Sequence, residues 1–434
     1  MDWGRRTSVR PHKTPFAFFM RFIAAFFFFY LLTALPCLDI YIKWYRRGTH
    51  LMMRKALWVI PILLVVPLAI LQRGTDFNRV AEWYLWGLLT VTFTGNIYML
   101  FDLIARFTGR RSAITLRVVG GVAAAMVLAL FLEGMIRRHE IHVRDVEMEI
   151  DGLPASFDGT RIAHITDLHL GNLSPQHTYL ERIVETINAL QPDIVCFTGD
   201  IVHLSVDDSS PSDTILRQIE APMGKYAVMG NHDYGDYNVW PTDAAKQCNL
   251  RLTHRLYASL GFELLLDTSV YVTKNTAIGD SVITDSIGII GVENWGHDPF
   301  PKYGDMAQAT ANYHRQGANI LLSHDPDHWH AEIIPRYPWV DLTLSGHTHG
   351  AQIGIDTGTW KFSPSQWIFD SWDGLYTYPD ESKPILTTDN QSFDRENGIV
   401  CRNRQYLFVS RGLGYVGIPF RLGMWPEVTI ITLK

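Results

Sequence analysis

The chain has 434 residues, 47% of them hydrophobic and 19% charged, with a net charge of −6. This is too apolar for a disordered chain and too long for one small domain. The charge is unevenly placed: residues 1–138 hold 18 Lys and Arg against 6 Asp and Glu, and residues 139–434 hold 20 against 38. An acidic main body argues against a nucleic-acid partner, whose phosphates need a basic surface.

The N-terminal third is an oily, basic segment. Apolar stretches cover residues 22–38, 56–71, 83–101 and 113–136. A spanning helix needs roughly 17–25 residues. The second stretch is short and contains Pro61 and Pro67, which membrane helices tolerate. Trp44, Tyr45, Trp58, Trp83 and Tyr84 sit at stretch ends, as interfacial anchors do. Residues 1–138 are therefore expected to form a four-helix transmembrane anchor, making the protein multi-pass in the inner or plasma membrane. A cleaved signal peptide would account for the first stretch only. Basic residues divide almost evenly between the two sides, so the positive-inside rule selects neither. Few ionisable groups lie mid-span, which argues for an anchor and against an ion pathway.

From about residue 141 the texture changes. Short β-rich runs at 161–166, 193–198, 226–229, 287–291, 319–322 and 341–344 each lead into a polar cluster, and runs at 406–409 and 428–433 follow. Helical periodicity lies at 175–190, with Ile183, Val184, Ile187 and Leu190 on one face, and a second helix is expected over 243–260. Strands alternating with helices predict an α/β or layered α+β domain over 139–434. The four cysteines, Cys37, Cys196, Cys248 and Cys401, form no C-x-x-C pair, so neither a disulfide framework nor a thiolate zinc site is indicated.

The polar clusters share one design. Strand after strand ends in Asp, His or Asn beside Gly: Asp167-x-His169, Gly199-Asp200, Gly230-Asn231-His232-Asp233, Ser323-His324-Asp325 and Gly346-His347-Thr348-His349-Gly350. Strand ends in one sheet lie side by side, so these groups can converge. Imidazole, carboxylate and amide oxygen without thiolate suit Mn, Fe, Zn or Ni in five- or six-coordinate sites. In an extended segment Asp167 and His169 would point the same way, as would His347 and His349.

Each piece alone is weak; all five in this order are specific. The combination resembles the calcineurin-like metallophosphoesterases over residues 158–434. Leu153-Pro154, Phe157-Asp158-Gly159, Ser410-Arg411-Gly412-Leu413-Gly414, Pro419-Phe420-Arg421 and Pro426-Glu427 are similar to its membrane-associated bacterial branch. The resemblance implies an α-β-β-α sandwich and two divalent ions. Asp167, His169 and His349 would hold the first ion, Asn231, His324 and His347 the second, and Asp200 would bridge them. A hydroxide shared by both would attack phosphorus in line. His232 would be the catalytic histidine, protonating the leaving oxygen or stabilising phosphoryl charge. Asp233 either orients His232 or is a structural carboxylate.

Other groups read more plainly. His164 is a core or supporting residue, and His203 lines the entrance or sits in a solvated loop. His328 and His330 are structural or substrate-adjacent, Asn294 is a weak pocket candidate, and Arg421 is expected in a salt bridge. The insertion at 357–398 carries Trp360, Phe362, Trp367, Phe369, Trp372, Tyr376 and Tyr378. These are expected to pack on the core, with an acyl-contacting lid as the alternative. The sequence thus predicts a membrane-anchored, dinuclear phosphoesterase acting on a lipid-linked or envelope-linked phosphoester or pyrophosphate. The competing readings are a membrane sensor or scaffold that keeps the fold without turnover, a transporter with a regulatory domain, and a nuclease. No metal-site residue is missing, which disfavours the scaffold. The sparse mid-span charge disfavours the transporter, and the acidic body disfavours the nuclease.

Overall fold

The computed structural model describes residues 75–173, 177–209, 212–278, 281–296, 301–379 and 404–434. The apolar stretches at 22–38 and 56–71, and the end of the insertion at 380–398, lie outside the described residues. The other two stretches form α1 (Thr75–Ala105) and α2 (Arg110–Ile136). Neither contains Pro. Two Thr hydroxyls of α1 are satisfied inside the helix: Thr90 donates to the Trp86 carbonyl and Thr92 to that of Leu88. Both helices are long and apolar enough to cross a membrane. Val91, Phe93, Leu100, Val118, Val122 and Met126 are all exposed on them, a surface that water disfavours. Arg117 donates to buried Asp102 at 2.7 Å and so ties the pair together.

The rest is built on two six-stranded sheets. The strands of the first are β1 (His142–Met148), β2 (Arg161–Ile165), β3 (Ile194–Phe197), β4 (Lys225–Ala227), β5 (Glu263–Leu264) and β14 (Glu427–Leu433). Their order across the sheet is β1-β14-β2-β3-β4-β5. The second contains β6 (Thr268–Ile278), β7 (Ser281–Gly291), β8 (Asn319–Leu322), β9 (Leu342–Ser345), β12 (Gly374–Tyr378) and β13 (Gln405–Val409). Its order is β12-β13-β9-β8-β7-β6. A small hairpin, β10 (Ile355–Asp356) with β11 (Lys361–Phe362), stands apart. All eight expected strands are present, and the expected helices are α3 (His177–Ala189) and α4 (Asp243–Ser259).

Period-two alternation decides the layering. Ile162, Ile194, Ile320, Leu322, Leu344, Phe408 and Ile431 face inward into one shared core between the sheets. Their neighbours Ala163 and Val195 face out, under Ile183, Val184 and Ile187 of α3 and Leu256 and Tyr257 of α4. On the far side Leu321, Leu407 and Val409 pack against Trp329 and Ile333. The result is helix, sheet, sheet, helix, as the sequence predicts for the main body. Removing one such aliphatic side chain would cost roughly 2–5 kcal/mol.

Strands β2, β3 and β4 run parallel, as do β7, β8, β9 and β13. Their carboxyl ends therefore open on the same rim, the usual place for a ligand in such sheets.

Candidate metal centre

The polar clusters meet at that rim. Asp167 and His169 follow β2, Asp200 follows β3, and Asn231 and His232 follow β4. His324 follows β8, and His347 and His349 follow β9. Among the described residues three groups of ligating atoms form: Asp167 with His169 and His349, Asp200 with His324 and His347, and His169 with His203 and His232. In the first, the Nε2 atoms of His169 and His349 are 3.1 Å apart, and Asp167 Oδ1 is 3.2 Å from His349 Nε2. In the second, His324 Nε2 lies 3.2 Å from Asp200 Oδ2, 3.1 Å from Asn231 Oδ1 and 3.2 Å from His347 Nδ1. Asp200 Oδ2 is also 3.6 Å from His169 Nε2, so it stands between the groups.

Each donor atom is aimed by a second contact. Asp167 Oδ2 accepts from the Thr166 hydroxyl and the His347 amide, while Oδ1 is buried and receives no hydrogen bond. A buried carboxylate oxygen without a donor is costly unless it faces a cation. Asp200 Oδ1 accepts from the His232 amide, which leaves Oδ2 toward the histidines. Asn231 donates its amide to Tyr237 Oη and so turns Oδ1 to the site. His324 donates Nδ1–H to the Thr198 carbonyl and presents Nε2. Ligand atoms about 2 Å from one shared ion lie about 3 Å from each other, which is the spacing seen here. The residues fit divalent cations in chemistry and in arrangement.

The electrostatics agree. Burial opposes charge on both carboxyls, but His349 and His169 hold Asp167 well below the usual range, and His324 and His232 do so for Asp200. Burial pushes His169 and His347 down to about 4. Burial also opposes charge on His324, yet Asp200 outweighs it and brings the imidazole up to about 10. The pocket therefore keeps two anions and attracts positive charge.

The backbone reaches this geometry by a route other than the expected one. Asp167, His169, Asp200, His347 and His349 have φ of 54°, 46°, 60°, 69° and 51°. They are left-handed turns, not extended segments, so side-chain alternation is not what makes Asp167 and His169 converge. Each such non-glycine residue costs on the order of 1–3 kcal/mol. Space is equally tight: a Cβ at Gly230 would meet Asp200 Oδ1 at 2.2 Å, and one at Gly346 would meet Asp167 Oδ2 at 2.2 Å.

His232 is fixed on three sides. Its Nδ1–H donates to the His203 carbonyl at 2.6 Å, and its ring stacks on Tyr237 at 4.3 Å and on His203 at 5.2 Å. The Nδ1 contact leaves Nε2 for a substrate. Of the seven expected ligands and His232, only His232 and His347 are half-buried; the rest are buried.

Asp233 does not touch His232. Its carboxylate accepts from the amides of Asp200, Ile201, Val202 and Gly230 and from the Tyr257 hydroxyl. It ties the β3 and β4 loops together, which is the structural alternative for this residue. Burial, then the nearby Asp200, pushes it up to about 7, against the pull of those donors.

His203 is buried beside His232 and His169, not solvated. His164 is in the core, with Nε2 on Thr198 Oγ1. His328 pairs with Ser323 and stacks on Trp295, and His330 contacts Ser371. Asn294 donates to the Pro301 carbonyl. Among the described residues Arg421 makes no salt bridge: it donates to the carbonyls of Gly414, Met424 and Arg411, and its Nη2 sits 3.1 Å from His349 Nδ1. In the insertion Trp372 is buried, but Trp360 and Trp367 are exposed, which corrects the core-packing expectation for those two. Phe369 meets the edge of the His347 ring at 5.5 Å. The sequence reading passed over Tyr237; its place four residues after the G-N-H-D cluster was the available cue.

Comparison with known proteins points the same way. Residues 160–351 match the model of the calcineurin-like phosphoesterases. UDP-2,3-diacylglucosamine pyrophosphatase LpxG of Chlamydia muridarum is 28% identical over 68% of this chain and 89% of its own length. The metallophosphoesterase YkuE of Bacillus subtilis is 28% identical over 68% of this chain and 86% of its own. A transmembrane protein with metallophosphoesterase domain from Danio rerio is 27% identical over 73% of this chain and 64% of its own. With these donor groups at the carboxyl ends of paired sheets and this match across them, residues 160–351 form a calcineurin-like phosphoesterase domain.

Proposed function

We propose that the protein is a membrane-anchored, dinuclear metal-dependent phosphoesterase that hydrolyses a phosphoester or pyrophosphate bond in a lipid-linked or envelope-linked substrate. The observation that carries this is that the expected ligands gather in two groups with Asp200 between them, beside two helices of membrane-spanning length. Asp167, His169 and His349 would hold one ion, Asn231, His324 and His347 the other, and Asp200 both. Bound there, divalent ions such as Mn, Fe, Zn or Ni would screen phosphoryl charge and acidify an attacking water. As an imidazolium, His232 would give its Nε2 proton to the leaving oxygen while Nδ1–H stays on the His203 carbonyl.

Membrane placement rests on α1 and α2, on their exposed apolar faces, and on relatives named for a transmembrane protein and for a lipid-sugar pyrophosphatase. Residues 1–138 would form the anchor in the inner or plasma membrane, and residues 139–434 the catalytic domain. Exposed Trp367 and Ile368 next to Phe369 form an apolar approach to His347, suited to a substrate tail. Cations in the pocket would also give an acidic body one positive spot, drawing an anionic phosphate.

The test is hydrolysis of bis(p-nitrophenyl) phosphate and of a lipid pyrophosphate by detergent-purified, Mn-loaded protein. Wild type should turn over, and Asp200→Asn should lose both activity and metal. Equal inactivity of the two on a broad phosphoester panel would favour a sensor or scaffold instead.

A further inference from the structure

The apolar helices reach into the site itself. Glu82 of α1 is buried, and its Oε1 lies 3.8 Å from His203 Nε2. On the other side of that ring, the Asn172 amide lies 3.3 Å from His203 Nδ1. An amide nitrogen donates, so Nδ1 is the acceptor and Nε2 carries the proton that faces Glu82. His203 thus has a hydrogen-bond partner at Nδ1 and a carboxylate facing Nε2. It in turn holds His232 twice, by its carbonyl at 2.6 Å and by ring stacking at 5.2 Å.

The second helix reaches the other side of the centre. The Gly134 carbonyl of α2 accepts the Arg421 amide at 3.0 Å, and Phe131 packs on Phe420 at 5.3 Å. A Cβ at Gly134 would meet Phe420 at 2.3 Å, so the contact is close. Arg421 then extends to His349. A carboxylate at the edge of a membrane-length helix is expensive to bury and needs a reason.

We infer that Glu82 is a positioning residue: through His203 it sets the orientation of His232, so that the membrane helix forms part of the site. This rests on the reading of His232 as proton donor. The prediction follows from leaving-group chemistry. p-Nitrophenolate departs without a proton, whereas phenolate needs one, so misplacing the donor should harm the second far more.

The experiment uses the full chain, metal-loaded, with bis(p-nitrophenyl) phosphate and diphenyl phosphate. Glu82→Leu should lower kcat on diphenyl phosphate about 10-fold and on the nitrophenyl ester by less than about 2-fold, with KM unchanged. Glu82→Gln, whose amide oxygen can face His203 Nε2 as the carboxylate does, should restore most of the loss. Metal content should stay at the wild-type value, and in the metal-free chain diethyl pyrocarbonate should modify His203 and His232 faster in Glu82→Leu. If Glu82→Leu does not fold, Asn172→Ser releases the opposite nitrogen and makes the same test. His232→Ala separates the two ideas. If it shows the leaving-group bias and Glu82→Leu does not, the inference fails alone. If His232→Ala shows no bias, the proton-donor reading fails and takes the inference with it.

Discussion

Among the described residues, two buried charged clusters are resolved in opposite ways. Around Asp373, the acids supply their own cations: Arg411 Nε donates to it at 2.7 Å, Lys361 at 2.7 Å and Arg144 at 3.1 Å, with Glu427 2.9 Å from Arg144. Around Asp167 and Asp200 stand histidines, with their nitrogens 3.2–3.7 Å away. The first cluster closes on itself and reads as architecture. The second leaves anions to be matched from outside, which is what a metal or substrate site requires.

The sharpest way to break this comparison is at Asp200. Asn there keeps the shape but loses the shared charge, so activity should fall by at least about 10³-fold with loss of bound metal, read by turnover and elemental analysis. Next comes His232→Ala, which should lower kcat by about 10²–10⁴-fold while both metals stay. Metal loss in that variant would move His232 into the ligand set.

Asp373→Asn should act on stability instead. Removing one partner of a buried pair costs about 3–5 kcal/mol, which an unfolding midpoint would register, with metal stoichiometry kept. Burial alone would raise this carboxyl, but Arg411, Arg144 and Lys361 outweigh it and hold it below its ordinary value of 3.8. A depressed native value means that the stabilisation is full above about pH 4 and fades as pH falls through the native value. The gap between wild type and Asp373→Asn should therefore narrow in acid; a gap that widened would mean the pairing is misread. The smallest effect is expected at His328→Gln. His328 pairs with Ser323 and Glu332, away from the donors, so kcat should change by less than about 2-fold.

The strands that carry the site, β2, β3, β4, β8 and β9, were legible because each is a short apolar run closed by a polar cluster. Strand β1 was not, since its pairing is with β14, at the far end of the chain. The long β6 is half polar on an outer edge, and its cue was Gly279-Asp280 between it and β7. The ligands were legible by type and order, but not their left-handed backbone, which tertiary packing imposes. His203 was legible as an entrance candidate, but its pairing with Glu82 was not, for a different reason. Each matters only through a neighbour brought in by the fold, and 121 positions separate them in the chain. Asp233 carried two readings until its five donors came into view.

The left-handed residues of the metal centre have a consequence for how such a protein can change. Natural selection acts on stability and activity together, and here the two pull apart at the level of single dihedral angles. Glycine at Asp200 or His347 would relax the chain while ending its chemistry. Drift toward a more robust but idle protein is therefore downhill at several independent positions. A lineage that kept Asp and His in those five conformations would be recording continued use.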